Sequence, residues 1–144
     1  MDVLTPEQRK RCMQNIRSRD TRPEIAVRSI CHRLGFRFRV SHKGMPGKPD
    51  LVFSRLKICI FVHGCFWHQH PNCKYAYIPK TRIDFWTDKF SKNRIRDLKV
   101  QNEILTAGWS VAVVWECELR NREALVERLS KLLNCSDPHS NCDP

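Results

Sequence analysis

Hydrophobic positions recur at helical spacing in some stretches of this chain and alternate, or run without interruption, in others, and the two patterns divide it cleanly. Thr5-Pro6-Glu7-Gln8 has the form of a helix start, with Thr5 as cap, Pro6 in the first turn and Gln8 closing a capping box, and a basic helix follows to about Ser18. Thr21-Arg22-Pro23-Glu24 repeats that signal and predicts a second helix to Leu34, stopped by Gly35. Phe36-Arg37-Phe38-Arg39-Val40 alternates, the mark of a half-buried strand. The turn region Gly44-Met45-Pro46-Gly47 leads into Pro49-Asp50-Leu51-Val52-Phe53, and Ser54 to Lys57 reads as a hairpin turn. Lys57 to His63 contains the apolar run Ile58-Cys59-Ile60-Phe61-Val62 and predicts a central buried strand. A long helix is expected from Thr81 to Ala107 with Gly108 past its end, then a buried strand over Ser110–Trp115 and an amphipathic helix from about Arg120 to Leu133.

The resulting order, α-α-β-β-β-loop-α-β-α, is that of an α/β protein with helices on both sides of a mixed central sheet. No repeat or interdomain linker breaks it, so residues 1–133 read as one domain, and the polar stretch 134–144 as a disordered tail.

Composition narrows the partner. Lys and Arg number 26 against 15 Asp and Glu, a net charge of +11 over 144 residues, which suits a polyanion. No apolar run approaches the roughly 20 residues of a membrane span, and Met1-Asp2-Val3-Leu4-Thr5 lacks the charged start and apolar core of a signal peptide. The eight cysteines are therefore expected to be reduced thiols in a cytosol, and nucleic acid is the expected partner.

The chemistry is concentrated where the central strand ends, in Val62-His63-Gly64-Cys65-Phe66-Trp67-His68-Gln69-His70-Pro71-Asn72-Cys73. Cys65, His70 and Cys73 are closely spaced thiolate and imidazole ligands of the kind that hold Zn²⁺, and a closed structural site wants a fourth. Cys117, just beyond the strand ending at Trp115, is the expected fourth ligand, with His63 and His68 as local competitors. Cys12, Cys31 and Cys59 fall in regular elements and read as small apolar packers, and Cys135 and Cys142 take no role.

Asp50 opens the strand that would pair with the one ending at His63. A carboxylate there, with the backbone around Val62–His63, offers the hard oxygen donors Mg²⁺ prefers. His68 could accept a proton from a water, since imidazole titrates near neutrality. Glu24 has two readings: the third residue of Thr21's capping box, or an acid aimed at metal-bound water or an imidazole. Of the adjacent aromatics Phe66-Trp67 and Phe85-Trp86, one member of each pair is expected in the core and the other free to stack on bases or wedge between them. Trp109 and Trp115 read as packing residues.

Taken together, His63-Gly64-Cys65-Phe66-Trp67-His68, Pro49-Asp50, Phe85-Trp86 … Lys89 … Lys92-Asn93, Val114-Trp115-Glu116-Cys117 and Met13 … Ile16 … Arg19-Asp20-Thr21 resemble the very short patch repair endonucleases, over about residues 5 to 133. The resemblance implies a restriction-endonuclease-like fold and a Mg²⁺-dependent nick 5′ to the thymine of a T·G mismatch, the lesion left by deamination of 5-methylcytosine. It implies Asp50 and the Val62 carbonyl as ligands of a catalytic Mg²⁺ site of two ions, His68 as catalytic histidine, Glu24 as supporting acid and His63 near the phosphate. It implies one structural Zn²⁺ on Cys65, His70, Cys73 and Cys117. Phe66, Trp67 and Trp86 match intercalating aromatics, Met13 and Ile16 a helix that reaches the minor groove, and Lys89 and Asn93 a recognition region. A bacterial, cytoplasmic enzyme acting as a monomer on nucleoid DNA, beside a cytosine-5 methyltransferase and mismatch-repair proteins, is the implied setting. Where many nucleases of the wider fold carry a second acid and a lysine, this chain reads Phe61-Val62-His63. The rival readings are a non-catalytic zinc-containing DNA-binding module and a double-strand restriction endonuclease of the same fold.

Overall fold

The structure, a computed structural model, describes residues 21–40, 42 and 44–136. The helix expected over Thr5–Ser18, with Met13 and Ile16, lies outside them, as do Cys12, Cys142 and the end of the tail. In chain order the elements are α1 (Arg22–Arg33), β1 (Leu51–Phe53), β2 (Ile58–His63), α2 (Ile83–Thr106), β3 (Ser110–Trp115), a 3₁₀ turn (Glu116–Arg120) and α3 (Arg122–Ser136).

A three-stranded sheet, ordered β1-β2-β3, stands at the centre. β1 runs antiparallel to β2, with Leu51 opposite Ile60 and Phe53 opposite Ile58. β2 and β3 are parallel, from Ile58 opposite Ser110 to His63 opposite Trp115. Side chains alternate between the two faces. Leu51, Phe53, Ile58 and Ile60 pack with Val27, Ile30 and Cys31 of α1 and Leu125, Leu129 and Leu133 of α3. Val52, Cys59 and Phe61 point the other way, onto Ile104 and Val100 of α2. Helices therefore cover both faces of a mixed sheet, and β2 is buried almost along its length because it is enclosed by strands and helices alike.

Several boundaries differ from the sequence pattern. Phe36–Val40 is not a strand: its pairing is a single bridge in which Arg39 and Val52 exchange backbone hydrogen bonds of 2.9 and 2.8 Å. The alternation is nonetheless real burial, since Phe36 and Phe38 pack against the core and the Phe38 ring lies 5.6 Å from that of Phe53. β1 is only three residues long and follows Pro49, which has no N–H to donate, so little ladder is on offer. α2 starts at Ile83, not Thr81; its cap, Arg82, has φ 54° and lays its guanidinium 4.4 Å from the Phe85 ring centre. α3 runs on through Ser136, so residues 134–136, expected in the tail, are helical. No described helix is long and apolar enough to cross a membrane.

Cys31 and Cys59 are core packers whose thiols burial pushes up to about 12 and about 11, which keeps them protonated and unreactive. Cys135 departs from the expectation of reduced thiols: it is disulfide-bonded.

The parallel pairing of β2 with β3 positions the site. Both strands end at the same level, so the chain leaving His63 and the chain leaving Trp115 emerge side by side. In open sheets, this carboxyl edge is where ligands bind.

Candidate active site and metal centre

From that edge, Cys65 follows β2 by two residues and Cys117 follows β3 by two. The intervening loop folds back through tight turns, with Gln69 and Asn72 in left-handed backbone and His70 N–H donating to the Cys65 carbonyl at 3.0 Å. His70 and Cys73 are thereby brought under Cys65. The ligand atoms of Cys65, His70, Cys73 and Cys117 all lie within 4.8 Å of one another. Nδ1 of His70 is 3.8 Å from Sγ of Cys65 and 3.4 Å from Sγ of Cys117. A tetrahedral Zn²⁺ with ordinary Zn–S and Zn–N bonds would set those separations at about 3.5 Å, so the donor set fits zinc in both chemistry and spacing. The His70 ring is stacked on Trp115 at 4.1 Å, which fixes its orientation. The 3₁₀ turn carrying Cys117 is itself braced: Glu118 accepts from the Trp115 N–H at 3.1 Å and is held by Arg128 of α3 at 2.8 Å. His63 and His68, the competing fourth ligands, are turned away from this cluster and into a neighbouring cleft.

That cleft, about 530 Å³, opens between α1, the carboxyl end of β2 and α2. Asp50 stands at its floor. Its N–H donates to the Ile60 carbonyl at 3.0 Å, and its Oδ2 accepts from the Val62 N–H at 2.6 Å. Register explains this: Leu51 faces Ile60, so the residue before β1 reaches the last residues of β2. Burial, with the Glu24 carboxylate beside it, pushes Asp50 up to about 7 despite the Val62 hydrogen bond and the positive charge of Arg28. Glu24 is buried at the start of α1 and is ion-paired with Arg28 at 3.3 Å. Its backbone serves the cap, since the Glu24 N–H donates to Thr21 Oγ1 at 3.4 Å, while its side chain faces Asp50. The cap is thus made through the Glu24 backbone, and its carboxylate is turned to Arg28 and Asp50. Two adjoining, poorly solvated carboxylates beside the Val62 backbone form a hard-oxygen donor set that fits Mg²⁺.

Across the cleft, His63 and His68 are stacked, 3.8 Å between ring centres and 5° from parallel. His68 Nδ1 lies 2.6 Å from Oδ2 of Asp97 on α2. Burial lowers His63 to about 4, with the neighbouring His68 acting in the same direction, so His63 is neutral near pH 7. Asp97, which lines the cleft and meets His68, is a candidate site residue that the sequence did not single out. Its signal was helical spacing: Lys89, Asn93 and Asp97 recur every fourth residue on α2, a single stripe along one face.

The aromatics form a cluster at the cleft's edge. Phe66 is its hub, with ring centres of Trp67, Tyr77 and Phe90 each at 5.2 Å and Trp86 at 5.4 Å. Phe90 is buried, whereas Phe66, Trp67 and Trp86 are half-exposed and Phe85 is exposed. Trp67 also lines the cleft. Asn93 donates to the Trp67 carbonyl at 3.1 Å and so holds the loop to α2, while Lys89 is exposed one turn earlier.

Known proteins point the same way. Residues 1–74 match the family model described as DNA mismatch endonuclease Vsr. The chain is 41% identical over 135 residues to the DNA mismatch endonuclease Vsr of Escherichia coli K12, covering 90% of this chain and 86% of that protein. It is 48% identical over 135 residues to the Type II nicking enzyme V.XorIIP of Xanthomonas oryzae, covering 94% and 98% of the two chains. It is 44% identical over 132 residues to the Type II nicking enzyme V.NmeAIP of Neisseria meningitidis, covering 92% and 94%.

Proposed function

The chain belongs to the family of Vsr DNA mismatch endonucleases, and on that premise we propose that it is a Mg²⁺-dependent enzyme nicking one strand of DNA 5′ to the thymine of a T·G mismatch. The observation that carries the reading is the single cleft that gathers Asp50, Val62, Glu24, His63 and His68 directly beside half-exposed Trp67. Hydrolytic machinery and a base-stacking surface share one wall.

Asp50 and the Val62 carbonyl would hold the two Mg²⁺ ions, with Glu24 as supporting acid. The metal, when bound, neutralises charge on the phosphate and makes its water more acidic. His68 takes the proton from the attacking water. Its Nδ1–H donates to Asp97, which leaves Nε2 as the acceptor and keeps the ring turned to the cleft. His63, uncharged and stacked on His68, limits the ring's rotation and adjoins the phosphate. Phe66, Trp67 and Trp86 enter the stack beside the mispair, where unstacking costs least. Met13 and Ile16 reach the minor groove, and Lys89 and Asn93 contribute to recognition. Cys65, His70, Cys73 and Cys117 would hold a structural Zn²⁺ that ties the aromatic loop to the end of β3.

The fold is assigned as restriction-endonuclease-like and a single nuclease domain. The enzyme acts as a monomer on bacterial chromosomal DNA, alongside a cytosine-5 methyltransferase and mismatch-repair proteins. The test is a panel of end-labelled duplexes, each with one mispair, incubated with Mg²⁺ and mapped at nucleotide resolution. Nicking confined to the thymine strand of T·G supports the reading. Cleavage of both strands, or of matched duplex equally, defeats it.

A further inference from the structure

The loop that delivers Asp50 contains a strained residue. Lys48 has φ 51°, in the left-handed region that is costly for a side chain with a Cβ, by roughly 1–2 kcal/mol. It also precedes Pro49, and a residue before proline is pushed toward extended backbone, so the conformation is disfavoured twice. The preceding turn is packed closely against α2. Gly47, at φ 70°, lies so close to α2 that a Cβ there would sit 2.2 Å from Cγ1 of Val100. Strain of this kind persists where surrounding packing over-determines it, and it concentrates at functional sites.

The strained side chain is exposed and lines the cleft. The described lining holds four carboxylates, Glu24, Asp50, Asp97 and Glu116, but only two side chains of fixed positive charge, Lys48 and Arg96. Among the described residues Lys48 makes no ion pair with any of those acids. Its position is tied to the reacting centre, because two peptide units separate it from Asp50. A flexible ammonium left unpaired at the mouth of an acidic cleft suits an anion that arrives from outside.

We propose that Lys48 is a substrate-contacting residue whose ammonium binds a non-bridging oxygen of the DNA phosphate entering the cleft, and that its left-handed backbone is retained to hold it there. Lysine acts on phosphate as a point charge, and a donor placed beside developing charge is worth more in a confined site than in water. The inference rests on the endonuclease reading above.

Lys48→Gly separates function from stability, because glycine adopts φ 51° without a Cβ clash. Its melting temperature should equal or exceed that of wild type. Single-turnover nicking of T·G duplex should fall about a hundredfold, and Lys48→Arg should restore most of it. Binding to plain duplex without Mg²⁺, titrated with salt, should lose about one unit of slope in log K against log salt in Lys48→Gly. Wild-type nicking and an unchanged salt slope in Lys48→Gly would overturn the proposal, as would a nicking loss that follows only a loss of folded protein. If wild type nicks no mispaired duplex, the endonuclease reading fails instead, and the salt slope still decides whether Lys48 touches phosphate.

Discussion

His68 Nδ1 and Asp97 Oδ2 are 2.6 Å apart, a contact that joins the loop after β2 to the middle of the long helix α2. With Nδ1–H donating to the Asp97 carboxylate, Nε2 is left as the acceptor of a ring that lines the cleft. Asp97→Ala should therefore lower single-turnover nicking about 10–100-fold, the usual cost of losing a group that orients a reacting histidine, and His68→Ala about 10²–10⁴-fold, as for loss of a general base. Mismatch affinity should be unchanged in both. Equal rates for Asp97→Ala and wild type would show that His68 needs no orienting partner.

Asp50→Ala removes a carboxylate lining the cleft, and with it the hydrogen bond from the Val62 N–H, while leaving the backbone pairing of β1 with β2 in place. Metal-ion charge stabilisation contributes several kcal/mol to phosphodiester hydrolysis, so nicking should drop by more than about a thousandfold, with mismatch binding by gel shift retained. A mutant that nicks within tenfold of wild type would remove Asp50 from the metal site.

The raised pKa of Asp50, about 7, has a pH signature with a defined sign. Between an ordinary carboxylate pKa near 4 and about 7, the folded protein binds more protons at this group than the unfolded chain does, so stability from this group falls as pH rises through that window. In Mg²⁺-free buffer Asp50→Asn should melt higher than wild type at pH 8 and no higher at pH 4. His63, lowered to about 4, works in the opposite sense, adding stability as pH rises from about 4 to its ordinary value near 6.5, which is why the comparison is made between the variant and wild type. Mg²⁺ must displace the proton below about pH 7, so the Mg²⁺ concentration for half-maximal nicking should rise as pH falls. A half-maximal Mg²⁺ concentration constant from pH 6 to 8 would contradict the linkage.

Cys117→Ser should lower both zinc content and melting temperature. The four ligands come from two chain segments that the ion would staple together, so zinc binding contributes folding free energy. Elemental analysis should give one zinc per wild-type chain and less in the variant. Full occupancy in Cys117→Ser would transfer the fourth position to another residue.

Trp67→Ala distinguishes a wedge from a packing residue. Removing a core tryptophan costs about 3–5 kcal/mol, whereas Trp67 is half-exposed at the edge of the Phe66 cluster and lines the cleft. The melting temperature should change little while the preference for T·G over T·A declines. General affinity, carried by Lys and Arg on phosphates, should keep its salt dependence. A large fall in melting temperature with intact discrimination would make Trp67 structural.

Local chemistry made much of this protein legible from its residues. The uninterrupted apolar run of β2 marked the buried central strand, and turn signals bounded β3 to the residue, but β3, expected to be buried, buries only Val114 because it lies at the edge of the three-stranded sheet. The spacing of Cys65, His70 and Cys73 marked a cluster able to hold a metal ion, since one loop supplies three of its members. Tertiary structure decided what segments far apart in sequence do to each other. Parallel pairing of β2 with β3 brings Cys117 to the loop and sends His63 and His68 away from it, a choice the spacing left open. Packing of α2 across the sheet supplies Asp97 to His68, although Asp97 by itself is one more charge on a mostly exposed helix. The alternation of Phe36–Val40 correctly marked buried faces, yet strand formation needs a partner ladder, and three-residue β1 offers only the Arg39–Val52 bridge. The left-handed backbone at Lys48 follows a glycine that packs against Val100, a contact between residues more than fifty positions apart that no local pattern encodes.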